Sequence, residues 1–82
     1  MTNKEIARTF KKLADLMELH GENKFKIRSY SNAYITFRKL GQPLNKMSDE
    51  EIKEIRGVGA AIAQKTRDLL NTGTFKTFED FK

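Results

Sequence analysis

Two glycines and a lysine carry the clearest chemistry in this sequence. Gly57 and Gly59 stand one residue apart at the junction of two helical patterns, and Lys65 follows on the second pattern. Glycine permits left-handed backbone dihedrals and the close approach of another backbone. The amides after Gly57 would then point out of the start of the next helix, which is a ready anion site. A phosphate group is the anion that we expect a basic chain to bind there.

The residues around these glycines extend the pattern. Ile55 precedes them, and the segment that follows reads Ala-Ala-Ile-Ala-Gln-Lys. Flanked by two helices, this arrangement is typical of the helix-hairpin-helix, a small motif that holds the nucleic-acid backbone without reading bases. An ordinary turn in a helical bundle is the alternative interpretation.

The net charge of +5 is unevenly distributed over the 82 residues. Residues 24–46 contain six basic residues and no acidic one, whereas residues 47–82 have a net charge of −1. The six are Lys24, Lys26, Arg28, Arg38, Lys39 and Lys46. A positive patch of this kind suits a polyanion such as DNA. Charge that only keeps the chain soluble is the alternative for any single lysine.

The composition excludes several other classes of protein. The chain has no cysteine for a disulfide or a thiolate metal site, and its one histidine, His20, cannot build a zinc site. No apolar run approaches the length of a membrane span, and no signal peptide opens the chain. We therefore expect a monomeric protein of the cytoplasm, associated with the nucleoid, with no membrane partner.

Helix caps divide the chain into four helical patterns and a short fifth one. Thr2 with Glu5, and Ser48 with Glu51, are capping boxes at helix N-termini. The predicted helices cover residues 2–21, 23–41, 48–55 and 60–71, and a short one begins at a cap formed by Thr77. Apolar residues recur at helical spacing in each. The sequence predicts one all-α domain over residues 1–82, a compact bundle of four helices plus a short C-terminal helix, with residues 42–47 as a connecting loop.

Several side chains on these helices have two interpretations. Tyr30 and Tyr34 fall on the apolar face of the second helix, which favours core residues over platforms for base stacking. Three successive acids, Asp49, Glu50 and Glu51, lie in the first turn of the third helix. Capping and the helix dipole explain these acids better than a metal site does.

Three segments together resemble a known family. They are Gly-Glu-Asn-Lys-Phe-Lys-Ile-Arg-Ser-Tyr from Gly21, Ile-Arg-Gly-Val-Gly-Ala-Ala-Ile-Ala-Gln-Lys from Ile55 and Leu-Leu-Asn-Thr-Gly-Thr-Phe from Leu69. In order and spacing they are similar to the amino-terminal domain of family X DNA polymerases, above all the bacterial members. The resemblance implies a DNA repair function, in which the domain binds the 5′-phosphate side of gapped or nicked DNA. The pattern breaks off at Lys82, so we expect an excised domain whose polymerase and phosphoesterase domains lie in the same longer chain.

The hairpin, the basic second helix and the resemblance together predict the site residues. Lys65 occupies the position of the lysine that forms a Schiff base when members with lyase activity remove a 5′-deoxyribose phosphate. The predicted DNA-binding residues are the backbone of Gly57, Val58, Gly59 and Ala60 and the side chains of Phe25, Lys26, Arg28, Tyr30 and Lys53.

The resemblance also implies an ion and two differences. The backbone carbonyls of Lys53, Ile55 and Val58 would hold a monovalent cation, Na⁺ or K⁺, that bridges to a DNA phosphate, and no other cofactor is expected. The chain has Ala61 and Thr77 where members with lyase activity have pocket lysines. Phe25 replaces a histidine that stacks on a template base, so that an aromatic ring remains at that position.

Lyase chemistry sets a condition on Lys65. The amine must be neutral to attack, whereas lysine has an ordinary pKa of about 10.4, so burial or neighbouring cations must lower it. Lys65 borders an apolar helix face, and Lys26 or Arg28 would supply the neighbouring charge. Arg67, on the other border, is excluded because a guanidinium stays charged. Lys65 as a simple phosphate contact is the alternative role, and a helical protein-docking domain without enzymatic activity is the alternative function.

Overall fold

The computed structural model describes residues 1–82, and all of its regular structure is helical. The elements are α1 Asn3–Leu19, α2 Lys24–Lys39, a 3₁₀ turn Leu44–Lys46, α3 Asp49–Lys53, α4 Gly59–Thr72 and α5 Lys76–Phe81. This confirms the all-α bundle of four helices plus a short C-terminal helix. None of the helices combines the length and the apolar character that a membrane crossing requires.

Helix α1 begins at the predicted capping box and ends at the predicted glycine. The Thr2 hydroxyl accepts a hydrogen bond from the Glu5 amide (3.2 Å), and the Glu5 carboxylate accepts one from the Thr2 amide (2.8 Å). At the other end Gly21 takes a left-handed φ of +70°, and the Glu22 amide closes the helix by donating to the Met17 carbonyl at 3.0 Å. The chain therefore reverses sharply, and α2 runs back along α1.

The antiparallel pair α1–α2 holds most of the core, and Phe10 lies at its centre. The ring of Phe10 lies 6.1 Å from that of Tyr30, 5.7 Å from Phe37 and 5.5 Å from Phe75. Tyr30 is buried, which confirms it as a core residue, whereas Tyr34 is only partly buried. The aromatic stack joins α5 to the α1–α2 pair.

The connection after α2 is more ordered than a simple loop. The Asn3 side chain donates to the Gln42 carbonyl (2.6 Å) and accepts from the Leu44 amide (2.8 Å). Leu44 then begins the 3₁₀ turn and is fully buried. The predicted loop over residues 42–47 has the right place, but the sequence pattern did not indicate this core residue because polar neighbours surround it.

Arg67, in the middle of α4, links this helix to the start of α3. Its guanidinium donates to the Asp49 carboxylate (2.6 Å) and to the Met47 carbonyl (2.7 Å). The prediction that Thr77 caps the last helix is wrong. The N-cap of α5 is Phe75, and Thr77 lies inside the helix, because burial of the Phe75 ring against Phe10 fixes where α5 begins.

Candidate nucleic-acid interface

The turn between α3 and α4 has a shape that glycine adopts without strain. Gly57 has a φ of +87° and Gly59 a φ of +72°, a left-handed conformation that costs other residues about 1–2 kcal/mol each. A Cβ at either position would meet no atom within 4 Å, so backbone conformation and not crowding sets the requirement. Between the two glycines, the side chain of Val58 is buried, and its amide donates to the Ile55 carbonyl at 3.0 Å.

The first turn of α4 has several free hydrogen-bond donors. The amides of Gly57, Gly59, Ala60 and Ala61 donate no hydrogen bond within the chain, and no side chain caps this helix. The helices α1, α2 and α3, in contrast, all begin with a side-chain cap. Free amides at the positive end of a helix form a site for an anion.

The four residues that carry these amides line a cleft of about 550 Å³ between the start of α4, the first half of α2, the end of α1 and α5. The predicted site residues that line the cleft are the backbone of Gly57, Val58, Gly59 and Ala60 and the side chains of Lys26, Tyr30 and Lys65. The fold thus brings together one lysine from α2, one from α4 and the open helix terminus.

Lys65 and Tyr30 lie close together in this cleft. The Nζ atom of Lys65 lies 6.0 Å from the centroid of the Tyr30 ring, and the lysine side chain is partly buried. Burial raises the pKa of Tyr30 above its ordinary value of 10.0, and the positive charge of Lys26 offsets part of the rise. Tyr30 is therefore a neutral phenol at physiological pH and can donate a hydrogen bond.

The remaining predicted contacts lie outside the cleft. Arg28 lines a separate groove with Glu18 and Glu22. Phe25 is 78% exposed at the start of α2 and is not among the cleft residues. Lys53 is exposed and pairs with Glu50, with 3.7 Å between their charged atoms.

Several cleft residues were not predicted as functional. Glu22 lines the cleft, so its two lysines and one carboxylate give it a net charge of only +1. The turn at Gly21 that closes α1 places Glu22 there, and the sequence signal for it was that glycine. Ser29 follows Lys26 by three residues, which puts both on one edge of α2. Ala61 and Thr77, the positions without the family lysines, also line the cleft.

The hairpin carbonyls differ in their hydrogen bonds. The Ile55 carbonyl accepts the Val58 amide, whereas the carbonyls of Lys53 and Val58 accept no hydrogen bond within the chain. Two carbonyl oxygens of this turn are therefore left without a hydrogen-bond donor. No group of three or more histidine, aspartate or glutamate side chains is placed to hold a metal ion.

Comparison with known proteins gives one match. A family model described as a helix-hairpin-helix domain matches residues 1–75, which include the hairpin and every predicted site residue. No curated protein matches the chain.

Proposed function

Because the chain belongs to the helix-hairpin-helix domain family, we propose that it binds the DNA backbone at the 5′-phosphate side of a gap or nick. Helix-hairpin-helix domains bind DNA without sequence specificity. The observation that carries the finer proposal is the cleft. It is lined by Lys26, Lys65 and the four hairpin and α4 residues whose amides are free. Such contacts position a backbone but do not read bases.

The chemistry of the cleft favours a terminal phosphate over an internal one. A terminal phosphate monoester carries nearly two negative charges and three strong acceptor oxygens, whereas an internal diester carries one charge. Two lysines and several backbone donors match the larger charge and acceptor number. Tyr30 adds a neutral hydroxyl donor at the cleft wall, and charge-assisted hydrogen bonds are the strongest of these contacts.

The resemblance to family X DNA polymerases supports a place in repair. In this proposal the domain brings a DNA repair polymerase to gaps, and the polymerase and phosphoesterase domains belong to the same longer chain. It would work in the cytoplasm on the nucleoid. A cation held by the carbonyls of Lys53, Ile55 and Val58 would add positive charge beside the bound phosphate.

We extend the proposal to 5′-deoxyribose-phosphate lyase activity through Lys65. The neutral amine would add to the C1′ aldehyde of the sugar and lose water to give a Schiff base. Removal of a C2′ proton then breaks the C3′–O bond and leaves a 5′-phosphate on the DNA. Water releases the unsaturated sugar phosphate and restores the amine. The position of Lys65, partly buried and in the cleft, supports this role. Ala61 and Thr77 count against it, because they leave the cleft with fewer cations than lyase-active members of the family have.

A binding titration tests the DNA proposal. Gapped DNA with a 5′-phosphate should bind at least about tenfold more tightly than the same DNA with a 5′-hydroxyl or intact duplex, since charged hydrogen bonds are lost. Lys26→Gln with Lys65→Gln should abolish the preference. Lys24→Gln with Lys82→Gln removes the same charge outside the cleft and serves as the matched control. Equal affinity for all three DNAs would contradict the terminal-phosphate site and leave general backbone binding, whereas binding to none of them would favour the protein-docking alternative.

Borohydride trapping tests the lyase proposal. Wild type should form a covalent adduct on gapped DNA with a 5′-deoxyribose phosphate, and Lys65→Ala should lose the adduct while it still binds. Tight gap binding without any adduct in wild type would leave a DNA-targeting domain in which Lys65 only contacts phosphate.

A further inference from the structure

The net charge of the chain lies along residues 4–12 of α1 and in the last turn of α2, whereas the cleft lies at the other end of this helix pair. The cleft is lined by residues from the end of α1 and the beginning of α2. Residues 1–12 and 38–39 contain six basic residues and one acidic residue, a net of +5, so the rest of the chain is neutral overall. We call the six the basic end: Lys4, Arg8, Lys11, Lys12, Arg38 and Lys39. All six are exposed.

The fold brings the two sequence segments of the basic end together. The Asn3 side chain bonds the carbonyl of Gln42, which joins the start of α1 to the end of α2. Further along, the Nζ atom of Lys11 lies 5.8 Å from the Tyr34 ring centroid. The Arg38 guanidinium lies 5.2 Å from the same centroid and donates to the Tyr34 hydroxyl at 2.9 Å.

Helix stability does not explain this concentration of charge. Arg38 and Lys39 lie in the last turn of α2, where the helix dipole favours cations. Lys4 and Arg8 lie in the first turns of α1, where the same dipole disfavours them. Of the six residues, Lys11 alone pairs with a carboxylate, that of Asp15 at 3.2 Å. Most of the charge of the basic end is therefore unpaired, and on α1 it lies where the helix dipole disfavours it.

We propose that the basic end is a second DNA contact, which binds backbone phosphates away from the phosphate held in the cleft. This inference rests on DNA binding by the domain but not on the chemistry of Lys65. Lys4 and Met17, at the two ends of α1, stand about 20 Å apart at 1.5 Å per residue. That distance corresponds to about six base pairs of duplex, so one DNA molecule is long enough to reach both surfaces.

The side chains of the basic end suit a phosphate backbone. The Tyr34 ring and hydroxyl hold Arg38 in place without using a carboxylate. The other guanidinium donors stay available for the paired hydrogen bonds that arginine makes to phosphate. DNA is the occupant that we favour, because it is the ligand of this domain family and presents regularly spaced negative charges.

The test uses Lys4→Gln with Lys39→Gln, two exposed lysines without an ion pair. On gapped duplex of about 30 base pairs, the variant should bind roughly 3- to 10-fold more weakly than wild type. The slope of log affinity against log salt should fall by about 2, one for each lost phosphate contact. A 5′-phosphorylated trinucleotide, too short when stacked to bridge about 20 Å, should bind the variant and wild type equally.

The controls separate this inference from the proposed function. Lys24→Gln with Lys82→Gln removes the same charge outside both surfaces and should leave the salt slope unchanged. An unchanged slope in the basic-end variant, or an equal loss in the control, would overturn the inference. So would full DNA affinity with lost binding to phosphatidylserine vesicles, which would make the surface a lipid contact. A trinucleotide that fails to bind wild type would instead count against the cleft, and the duplex result would still decide the basic end.

Discussion

Two tyrosines one turn apart on α2 face two different surfaces. Tyr30 is buried, stacks on Phe10 and meets the amine of Lys65 from α4 in the cleft. Tyr34 is partly exposed and lies between cations of the basic end, with Arg38 on its hydroxyl. The same residue type therefore forms part of a shaped site in one case and supports a charged surface in the other.

The difference between the two surfaces is one of geometry against charge. The cleft has backbone donors fixed by the hairpin but a net charge of only +1, since Glu22 offsets one lysine. The basic end has a net charge of +5 on exposed side chains. The groove that Arg8 and Lys12 line is smaller than the cleft, about 320 Å³, and contains no free helix terminus. Fixed donors determine where a phosphate binds. Concentrated charge attracts DNA at a distance, and this attraction weakens as the salt concentration rises. We expect variants of the two surfaces to fail in different ways.

The largest effect should come from the hairpin glycines. Gly57→Ala combined with Gly59→Ala places two Cβ atoms at left-handed φ, which should lower the free energy of unfolding by about 2–4 kcal/mol. Where the domain stays folded, the altered amides should weaken trinucleotide binding more than binding to long duplex, because the basic end is intact. Urea unfolding and the two titrations measure both effects.

A third glycine supplies the matched control for this prediction. A Cβ added at Gly41 would also meet no atom within 4 Å, but the φ of this residue lies outside the left-handed region. Gly41→Ala should therefore be neutral or stabilise the fold by about 0.4–1 kcal/mol. If the hairpin variant were as stable as Gly41→Ala, that result would contradict the left-handed conformation of Gly57 and Gly59.

Local signals in the sequence were sufficient for the helices and the hairpin. The capping boxes at Thr2 and Ser48 and the glycines at the hairpin each act within a few residues, so their meaning does not depend on the rest of the fold. Thr77 was misread as a cap because the start of α5 is decided by a distant contact, that of Phe75 with Phe10. Leu44 stands alone between Gln42, Pro43, Asn45 and Lys46, so no local pattern marks it as a core residue.

The site was only partly predictable because it depends on which helix ends meet. Spacing placed Lys65 beside an apolar face, but the resemblance, not the spacing, linked it to Lys26 and Tyr30. The acid-free run of residues 24–46 predicted one positive patch, whereas the fold divides the basic residues of that run between different surfaces. Lys26 goes to the cleft, and Arg38 joins α1 lysines that are far away in sequence.

A smaller effect should appear in the titration of Tyr30, the phenol of the cleft. Tyr34→Phe leaves Tyr30 as the only phenol, because the chain has two tyrosines. Its phenolate absorbance should appear above the ordinary pKa of 10.0, since burial raises the pKa. A phosphate bound in the cleft brings negative charge, which should raise this pKa further when the trinucleotide is added.

An unchanged titration of Tyr30 on addition of the trinucleotide would contradict the assignment of the terminal phosphate to the cleft. The raised pKa of Tyr30 also determines how its contribution to the free energy of unfolding depends on pH. The contribution of Tyr30 is fully present below pH 10 and is lost as the pH rises through the raised pKa.

The smallest effect should come from acid, and it concerns helix ends that are capped rather than open. Hydrogen bonds from the backbone of Thr2 and Ser48 lower the pKa of Glu5 and Glu51 below the ordinary 4.5. The stability that these carboxylates contribute is present above that value and is lost as the pH falls through the lowered pKa. Glu5→Gln with Glu51→Gln keeps the capping bond without the charge, so urea midpoints of this variant should depend less on pH between about 5 and 3 than those of wild type.

The open terminus of α4 has no acid in its first turn, so the same variant should bind the trinucleotide as wild type does. Equal pH dependence in both proteins would mean that the two capped ends do not rely on charge, and the contrast with α4 would then rest on its free amides alone.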